Sequence, residues 1–121
     1  MVILLVDDEP VVRLTLAQEL RYTGFEVHEA KDGDEAADLI RTPRRPFSLL
    51  VTDIHMPGKL DGMQVAALMR ARSPDAPVVY ITGRPEVLGA IGPLSPKEVL
   101  LTKPFSPSEL VEVVHQLLAI P

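Results

Sequence analysis

Five short aliphatic runs, each of the length of a β-strand, alternate along the chain with segments of helical periodicity. The first run, Val2–Val6, contains only valine, isoleucine and leucine. Unbroken apolar runs of this length are typical of parallel strands that are covered on both faces. Because strands that alternate with helices form a parallel sheet with right-handed crossovers, we expect a doubly wound α/β fold. The remaining strands are predicted at Phe25–Ala30, Phe47–Thr52, Val78–Ile81 and Val99–Leu101.

The segments between these runs carry signals that begin and orient helices. Pro10 suits the first turn of a helix, where its missing N–H group is not needed. Asp32 is a residue type that caps helices. In the first helix we expect Leu14, Ala17 and Leu20 to face the core. Helices are predicted from Pro10 to Gly24, over Gly33–Arg41, over Asp61–Arg72 and from Ser106 to about Leu118.

The stretch Gly83–Lys97 departs from this alternation because it is rich in proline and glycine. Proline cannot donate the backbone hydrogen bonds of a helix interior, and glycine weakens helices. We therefore expect at most one short helix in this stretch, over Glu86–Ile91.

Length and composition exclude several classes of protein. The 121 residues fit one domain, 1–121. The absence of cysteine excludes disulfides and thiolate metal sites, and no apolar run approaches the ~20 residues of a membrane span. The run Val2–Val6 is too short for the core of a signal peptide, so we expect a cytoplasmic protein. The formal net charge of −5 argues against nucleic acid as a direct partner, because phosphate binding requires a basic face.

Polar residues stand at the carboxyl ends of four of the five predicted strands. Asp7 and Asp8 follow the first strand, and Asp53 follows the third. Thr82 follows the fourth strand and Lys103 the fifth. Ligands of open parallel sheets bind outside the carboxyl ends of the strands. We therefore expect three carboxylates, a hydroxyl and an ammonium group to converge in one shallow pocket.

The charges of this pocket do not balance. Three neighbouring carboxylates raise one another's pKa, and the single ammonium group of Lys103 is insufficient to compensate them. A divalent cation with oxygen ligands resolves the excess, and Mg²⁺ commonly uses one or two carboxylates together with water and phosphate oxygens. A phosphoryl group beside such an ion would also meet Lys103 and the Thr82 hydroxyl. Asp53 is the natural carboxylate nucleophile for an aspartyl phosphate.

Four motifs in this order resemble those of response-regulator receiver domains, the CheY-like family. Each motif is weak alone, but their order and spacing agree over the whole chain. The motifs are Leu4–Pro10, Val51–Pro57 with its continuation to Asp61–Gly62, Ile81–Gly83 and Leu101–Phe105.

The resemblance implies roles for the residues at the strand ends. It implies that Asp53 is phosphorylated, and that Asp7, Asp8, Asp53 and the backbone carbonyl of His55 hold Mg²⁺. It implies that Thr82 is the switch hydroxyl and that Lys103 pairs with the phosphoryl group. It also implies a cis peptide bond before Pro104 and a flavodoxin-like sheet in the order 2-1-3-4-5.

The resemblance also implies partners. The phosphoryl group comes from a sensor histidine kinase or a histidine phosphotransfer domain. The output is a separate protein or a covalently linked domain outside this chain, reached through a surface around residues 83–118. We expect neither direct nucleic-acid binding nor membrane association. The chain is not expected to be an enzyme beyond its own phosphorylation and slow dephosphorylation, in which His55 and Arg84 would set the phosphoryl lifetime.

Two features depart from the family pattern and keep alternatives open. Leu100 stands where receiver domains usually carry a tyrosine or phenylalanine that moves with the threonine. The stretch Gly83–Pro96 replaces much of the usual fourth helix. One alternative is therefore a receiver-like docking module that works without phosphorylation. The other is a phosphohydrolase of the haloacid-dehalogenase type, although this enzyme needs Asp-x-Asp after the first strand, where the chain has Asp7-Asp8-Glu9.

Overall fold

A five-stranded parallel sheet in the order β2-β1-β3-β4-β5 forms the centre of the molecule. The computed structural model describes residues 1–42, 46–84, 86 and 92–119. The sheet order confirms the predicted flavodoxin-like topology. The strands are β1 (Val2–Val6), β2 (Glu26–Ala30), β3 (Leu49–Asp53), β4 (Val78–Thr82) and β5 (Glu98–Thr102).

Helices cover both faces of this sheet, as expected for a doubly wound fold. Within the described ranges these are α1 (Pro10–Tyr22), α2 (Gly33–Arg41), α3 (Gly62–Arg72) and α4 (Pro107–Leu118). Helices α1 and α4 pack on one face, and α2 and α3 pack on the other. Residues of β1, β3 and β4 are buried throughout, which accounts for the apolar run that fills β1 and for the apolar residues that begin β3 and β4.

Side-chain caps fix the beginnings of three helices. The Asp32 carboxylate accepts a hydrogen bond from the Glu35 N–H group at 2.8 Å, which confirms the predicted cap of α2. Asp61 and Ser106 each form a capping box with the residue three positions later, at the starts of α3 and α4. Such caps are worth about 1 kcal/mol each. They fix where the chain leaves the sheet edge.

The start of β3 and the buried face of α1 differ from the prediction, and β2, β4 and β5 differ from it by one residue at one end or both. The strand predicted at Phe47–Thr52 runs over Leu49–Asp53, because Ser48 is held outside the ladder, where its N–H group donates to the Val2 carbonyl and its hydroxyl accepts from the Val2 N–H group. Leu14 is 49 % exposed, because the buried stripe of α1 follows Leu16, Ala17 and Leu20 instead.

The short predicted helix and the membrane-spanning potential of the chain remain to be compared with the structure. The short helix expected over Glu86–Ile91 lies outside the described residues, except for Glu86. Among the helices of the described residues, none is long and apolar enough to cross a membrane.

Candidate functional site

The carboxyl ends of β1, β3, β4 and β5 meet at one edge of the sheet, and backbone hydrogen bonds fix their relative positions. The Asp7 N–H group donates to the Ala30 carbonyl at 3.1 Å, at the end of β2. The Lys103 N–H group donates to the Thr82 carbonyl at 2.8 Å, which ties the residue after β5 to the end of β4. The predicted strand-end residues therefore share one edge.

Three carboxylates converge at this edge. Asp7, Asp8 and Asp53 each place one oxygen within 4.8 Å of the others. Asp7 is fully buried, Asp53 is 6 % exposed and Asp8 is half-buried. Asp7 Oδ1 accepts a hydrogen bond from the Glu9 N–H group at 2.9 Å, whereas its Oδ2 atom is buried and accepts no hydrogen bond from any described residue. Buried polar atoms are rarely left without a partner, so this oxygen is a candidate ligand atom.

Lys103 is the cation nearest to these carboxylates among the residues described. Its ammonium nitrogen lies 3.2 Å from Asp53 Oδ2, 3.4 Å from Glu9 Oε1 and 3.9 Å from Asp7 Oδ2. We call Asp7, Asp8, Asp53 and Lys103 the acid pocket. Its three carboxylates and one ammonium group leave an excess of negative charge, as the sequence predicts.

Burial dominates the protonation of the acid pocket. It raises the pKa values of Asp7 and Asp53 above the ordinary value for aspartate, because the ionised form loses solvation. The nearby Lys103 lowers both values but does not compensate fully. Burial also opposes the charged form of Lys103, yet the charges of Asp53 and Asp7 outweigh it and raise the lysine pKa. Ionisation of the Asp7 and Asp53 carboxylates therefore costs free energy, and a second cation in the acid pocket would reduce that cost.

The donor set of the acid pocket fits a hard divalent cation. Its oxygens are carboxylates of the kind that Mg²⁺ prefers, and the orphaned Asp7 Oδ2 atom supplies one position without breaking a hydrogen bond. His55 follows Asp53 by two residues at the same edge, and its backbone N–H group lies close enough to the Asp53 carboxylate to favour the ionised form and lower its pKa slightly. Its side chain is exposed.

Thr82 lies at the same edge but is engaged elsewhere. It is fully buried, and its hydroxyl accepts a hydrogen bond from the Arg84 N–H group at 2.9 Å. The hydroxyl also approaches the Arg84 carbonyl at 3.3 Å. The structure therefore brings Asp7, Asp8, Asp53 and Lys103 into contact, while the Thr82 hydroxyl is bonded to none of these four described residues. The peptide bond between Lys103 and Pro104 is cis, as the resemblance implied.

Two residues of the site carry roles that sequence reasoning missed. A Cβ atom at Gly62 would overlap the Asp53 carbonyl oxygen, so only glycine lets α3 begin directly against the pocket. The Gly62 N–H group also donates to the Ile54 carbonyl at 2.9 Å. The presence of Gly62 in the second sequence motif was the feature that could have identified this role. Glu9 belongs to the first motif, and its side chain contacts Lys103, a role that the sequence does not predict.

A second group of polar residues lies farther back along β4 and β5. Glu98 Oε2 of β5 lies 2.9 Å from Arg70 Nη1 of α3 and accepts a hydrogen bond from the hydroxyl of Tyr80 of β4 at 3.1 Å. Glu98 Oε1 accepts from the Ser95 N–H group at 3.0 Å. We call Arg70, Tyr80 and Glu98 the tyrosine cluster. The ring of Tyr80 is fully buried. In the sheet, Tyr80 is paired with Leu100, the residue that stands where receiver domains usually carry the switch aromatic.

The carboxylate of the tyrosine cluster differs in its protonation from those of the acid pocket. Burial alone would raise the pKa of Glu98. The hydrogen bonds from Ser95 and Tyr80, together with the charge of Arg70, hold it below its usual range instead. Both oxygens of this carboxylate therefore have partners.

Comparison with known proteins identifies the family. The family model of the response regulator receiver domain matches residues 3–115. The chain belongs to this family. Receiver domains of response regulators are the phosphoacceptor domains of two-component signal transduction, so the family match does not favour a phosphohydrolase or a docking module.

Individual relatives agree with this assignment. Response regulator MprA of Mycolicibacterium vanbaalenii is 37% identical over 117 residues, which cover 96% of this chain and 49% of that protein. The chain thus spans about half the length of the curated relatives it matches.

Solved receiver structures superpose over nearly the whole chain. A response regulator receiver protein from Sinorhizobium medicae matches with a TM-score of 0.89 and 32% identity, covering 98% of this chain and 94% of that one. The response regulator TrrA of Thermotoga maritima, solved in complex with Mg²⁺ and BeF, matches with a TM-score of 0.82 and 33% identity. That match covers 97% of this chain and 98% of TrrA.

Proposed function

We propose that this receiver domain accepts a phosphoryl group on Asp53 in a reaction that depends on Mg²⁺. A carboxylate oxygen of Asp53 forms a bond to the phosphorus of a phosphohistidine as its P–N bond breaks, and the imidazole leaves with the electron pair. The observation that carries the proposal is the pairing of the nearly buried Asp53 with Lys103 at 3.2 Å, beside a buried Asp7 oxygen without a partner.

Asp7, Asp8, Asp53 and the His55 carbonyl are the proposed ligands of Mg²⁺. When bound, the ion supplies positive charge that stabilises the transferring phosphoryl oxygens and neutralises the excess of carboxylates. The proximity of three carboxylate oxygens within 4.8 Å supports this ligand set. The presence of Mg²⁺ in the TrrA complex is consistent with it.

Lys103 and Thr82 are the residues proposed to bind the phosphoryl group once it is attached to Asp53. Lys103 already faces Asp53, so a phosphoryl group on that carboxylate would meet the ammonium group at once. Thr82 would exchange its hydrogen bonds with the Arg84 backbone for one to the phosphoryl group. That exchange ends the bond between the Thr82 hydroxyl and the Arg84 N–H group, which biases the output surface around residues 83–118. His55 and Arg84 flank the site at the ends of β3 and β4, and we assign them the control of the phosphoryl lifetime.

A protein is the proposed phosphodonor, and an apolar groove beside the acid pocket supports this. The groove has a volume of about 320 Å³, and Lys103 is one of its lining residues. It is lined by Val11, which is 79 % exposed, and by Phe105. A small phosphodonor needs no such surface, whereas the helices of a sensor histidine kinase or a phosphotransfer domain have apolar side chains to place there.

The role proposed for the chain is that of a signalling domain in the cytoplasm, without turnover of metabolites. Because the matched relatives are about twice as long as the chain, the output is proposed to be another protein or a linked domain. Direct contact with nucleic acid or membrane is not part of the proposal, since the net charge of −5 opposes phosphate binding.

Intact-mass measurement after incubation with Mg²⁺ and acetyl phosphate tests the proposal. We expect the native protein to gain the mass of one phosphoryl group and Asp53→Asn to gain none. Asp75→Asn is the matched control, because Asp75 is an exposed aspartate paired with Lys97 and should leave the mass gain unchanged. An equal gain in native protein and Asp53→Asn would contradict the role of Asp53. No gain in the native protein would favour the docking module.

A further inference from the structure

Glu9 occupies a position that usually serves the helix that follows, but it does not serve that helix here. It is the N-cap residue of α1, and its side chain makes no capping hydrogen bond. Its carboxylate points instead to Lys103, with Oε1 at 3.4 Å from the ammonium nitrogen. The ion pair joins residues that are 94 positions apart in the sequence. Helix capping therefore does not explain where this side chain lies.

Stability does not explain this contact either. The Glu9 side chain is 60% exposed and Lys103 is 24% exposed. Ion pairs at exposed positions contribute about 0–1 kcal/mol to folding. A charge at the rim of a charged cleft has larger effects on the approach of ions, because it changes the potential that an incoming charge meets.

The ammonium group of Lys103 is shared between carboxylates at two depths. Asp53 Oδ2, at 3.2 Å, is nearly buried, whereas Glu9 Oε1, at 3.4 Å, lies on the solvent side. An anionic phosphodonor that approaches from solvent therefore meets the Glu9 carboxylate as well as the lysine. It must displace Glu9 from Lys103 before its own oxygens can use that ammonium group.

We propose that Glu9 is a positioning residue that holds Lys103 at the mouth of the acid pocket and disfavours highly charged phosphodonors. The inference rests on the proposed function, because it concerns phosphoryl transfer to Asp53. The repulsion between Glu9 and a donor grows with the charge of the donor. The site therefore prefers donors that carry little charge, and Glu9 reduces the rate with doubly charged acyl phosphates most.

The test compares two small donors on the native protein, Glu9→Gln and the control Glu112→Gln. Glu112 is an exposed glutamate of α4, away from the residues of the acid pocket, and its substitution makes the same change in net charge. Acetyl phosphate is doubly charged near neutral pH, whereas phosphoramidate is singly charged. The rate constant of phosphorylation is measured by intact mass at saturating Mg²⁺.

We expect Glu9→Gln to accelerate phosphorylation about fivefold with acetyl phosphate and about twofold with phosphoramidate. The affinity for Mg²⁺, measured by titration calorimetry without donor, should fall about twofold, because the same carboxylate attracts the cation. Opposite changes in donor rate and metal affinity identify an effect of charge, which a loss of structure would not produce. Glu112→Gln should change neither quantity.

Equal rates for native protein and Glu9→Gln, or equal acceleration with both donors, would overturn the inference while leaving the proposed function intact. A native protein that takes up phosphoryl from neither donor would contradict the proposed function itself, and the inference with it.

Discussion

The acid pocket and the tyrosine cluster each combine buried oxygen atoms with one cation, but only one of them is internally complete. In the tyrosine cluster both oxygens of Glu98 accept hydrogen bonds, and Arg70 supplies the charge. In the acid pocket Asp7 Oδ2 has no hydrogen-bond partner among the described residues, and Lys103 is shared by several carboxylates.

The difference appears in the protonation of the two groups. The pKa of Glu98 lies below its usual range because its partners outweigh burial. The pKa values of Asp7 and Asp53 lie above theirs because burial outweighs Lys103. A carboxylate whose oxygens both have hydrogen-bond partners in the protein stabilises the fold. A buried carboxylate with an oxygen that lacks a partner is available to a ligand.

The largest effect is expected from opening the tyrosine cluster. Glu98→Ala leaves the buried Tyr80 hydroxyl and the Arg70 guanidinium without their shared acceptor, and should lower the free energy of unfolding by about 2 kcal/mol. Chemical denaturation measures this change. The exposed Glu112→Ala should change stability by less than about 0.5 kcal/mol. A loss no larger than that of the control would show that the cluster is not stabilising.

A smaller effect of opposite sign is expected in the acid pocket. Asp7→Asn removes one buried negative charge and supplies an amide that can donate to the neighbouring carboxylates, so the protein in EDTA should gain about 1 kcal/mol of stability. Adding Mg²⁺ should stabilise the native protein and have little effect on Asp7→Asn. Thermal unfolding with and without Mg²⁺ measures both. Destabilisation of Asp7→Asn in EDTA would mean that Asp7 is a structural residue.

The smallest expected effect is the pH dependence of the contribution that Glu98 makes to the free energy of unfolding. Because the folded-state pKa of Glu98 is depressed, its contribution to stability is fully present above the unfolded-state value and is lost as pH falls through the folded-state value. The difference in stability between the native protein and Glu98→Ala should therefore shrink on acidification, by less than about 1 kcal/mol. Denaturation at a series of pH values checks this. A difference that grows towards acid pH would contradict the assignment.

The residues of the acid pocket were predictable because each stands at a position that topology fixes. Asp7 and Lys103 directly follow strands and Asp53 ends one, and parallel strands bring their carboxyl ends to one edge. The sheet order and the cis peptide bond came from the family resemblance. The start of β3 was misplaced because the hydrogen bonds that hold Ser48 outside the ladder join it to Val2, and such distant pairs leave no local signal.

The tyrosine cluster could not be predicted for the same reason. Tyr80 lies within the predicted strand Val78–Ile81, and Glu98 lies just before the predicted strand Val99–Leu101. Arg70, the partner of Glu98, is 28 positions away from it in the sequence. Nothing in hydrophobic periodicity identifies a pair at that separation. The contact of Glu9 with Lys103 could not be predicted either, because the two residues are 94 positions apart and only the placement of β1 and β5 in the sheet brings them together.

Locating the phosphoryl group within the native protein tests the central claim most directly. After incubation with acetyl phosphate in Mg²⁺ or in EDTA, tandem mass spectrometry identifies the modified residue. The structure predicts one phosphoryl group, on Asp53, formed with Mg²⁺ and absent in EDTA. Modification of another residue, or equal modification of Asp53 in both conditions, would contradict the claim that the acid pocket is a metal-dependent phosphoacceptor site.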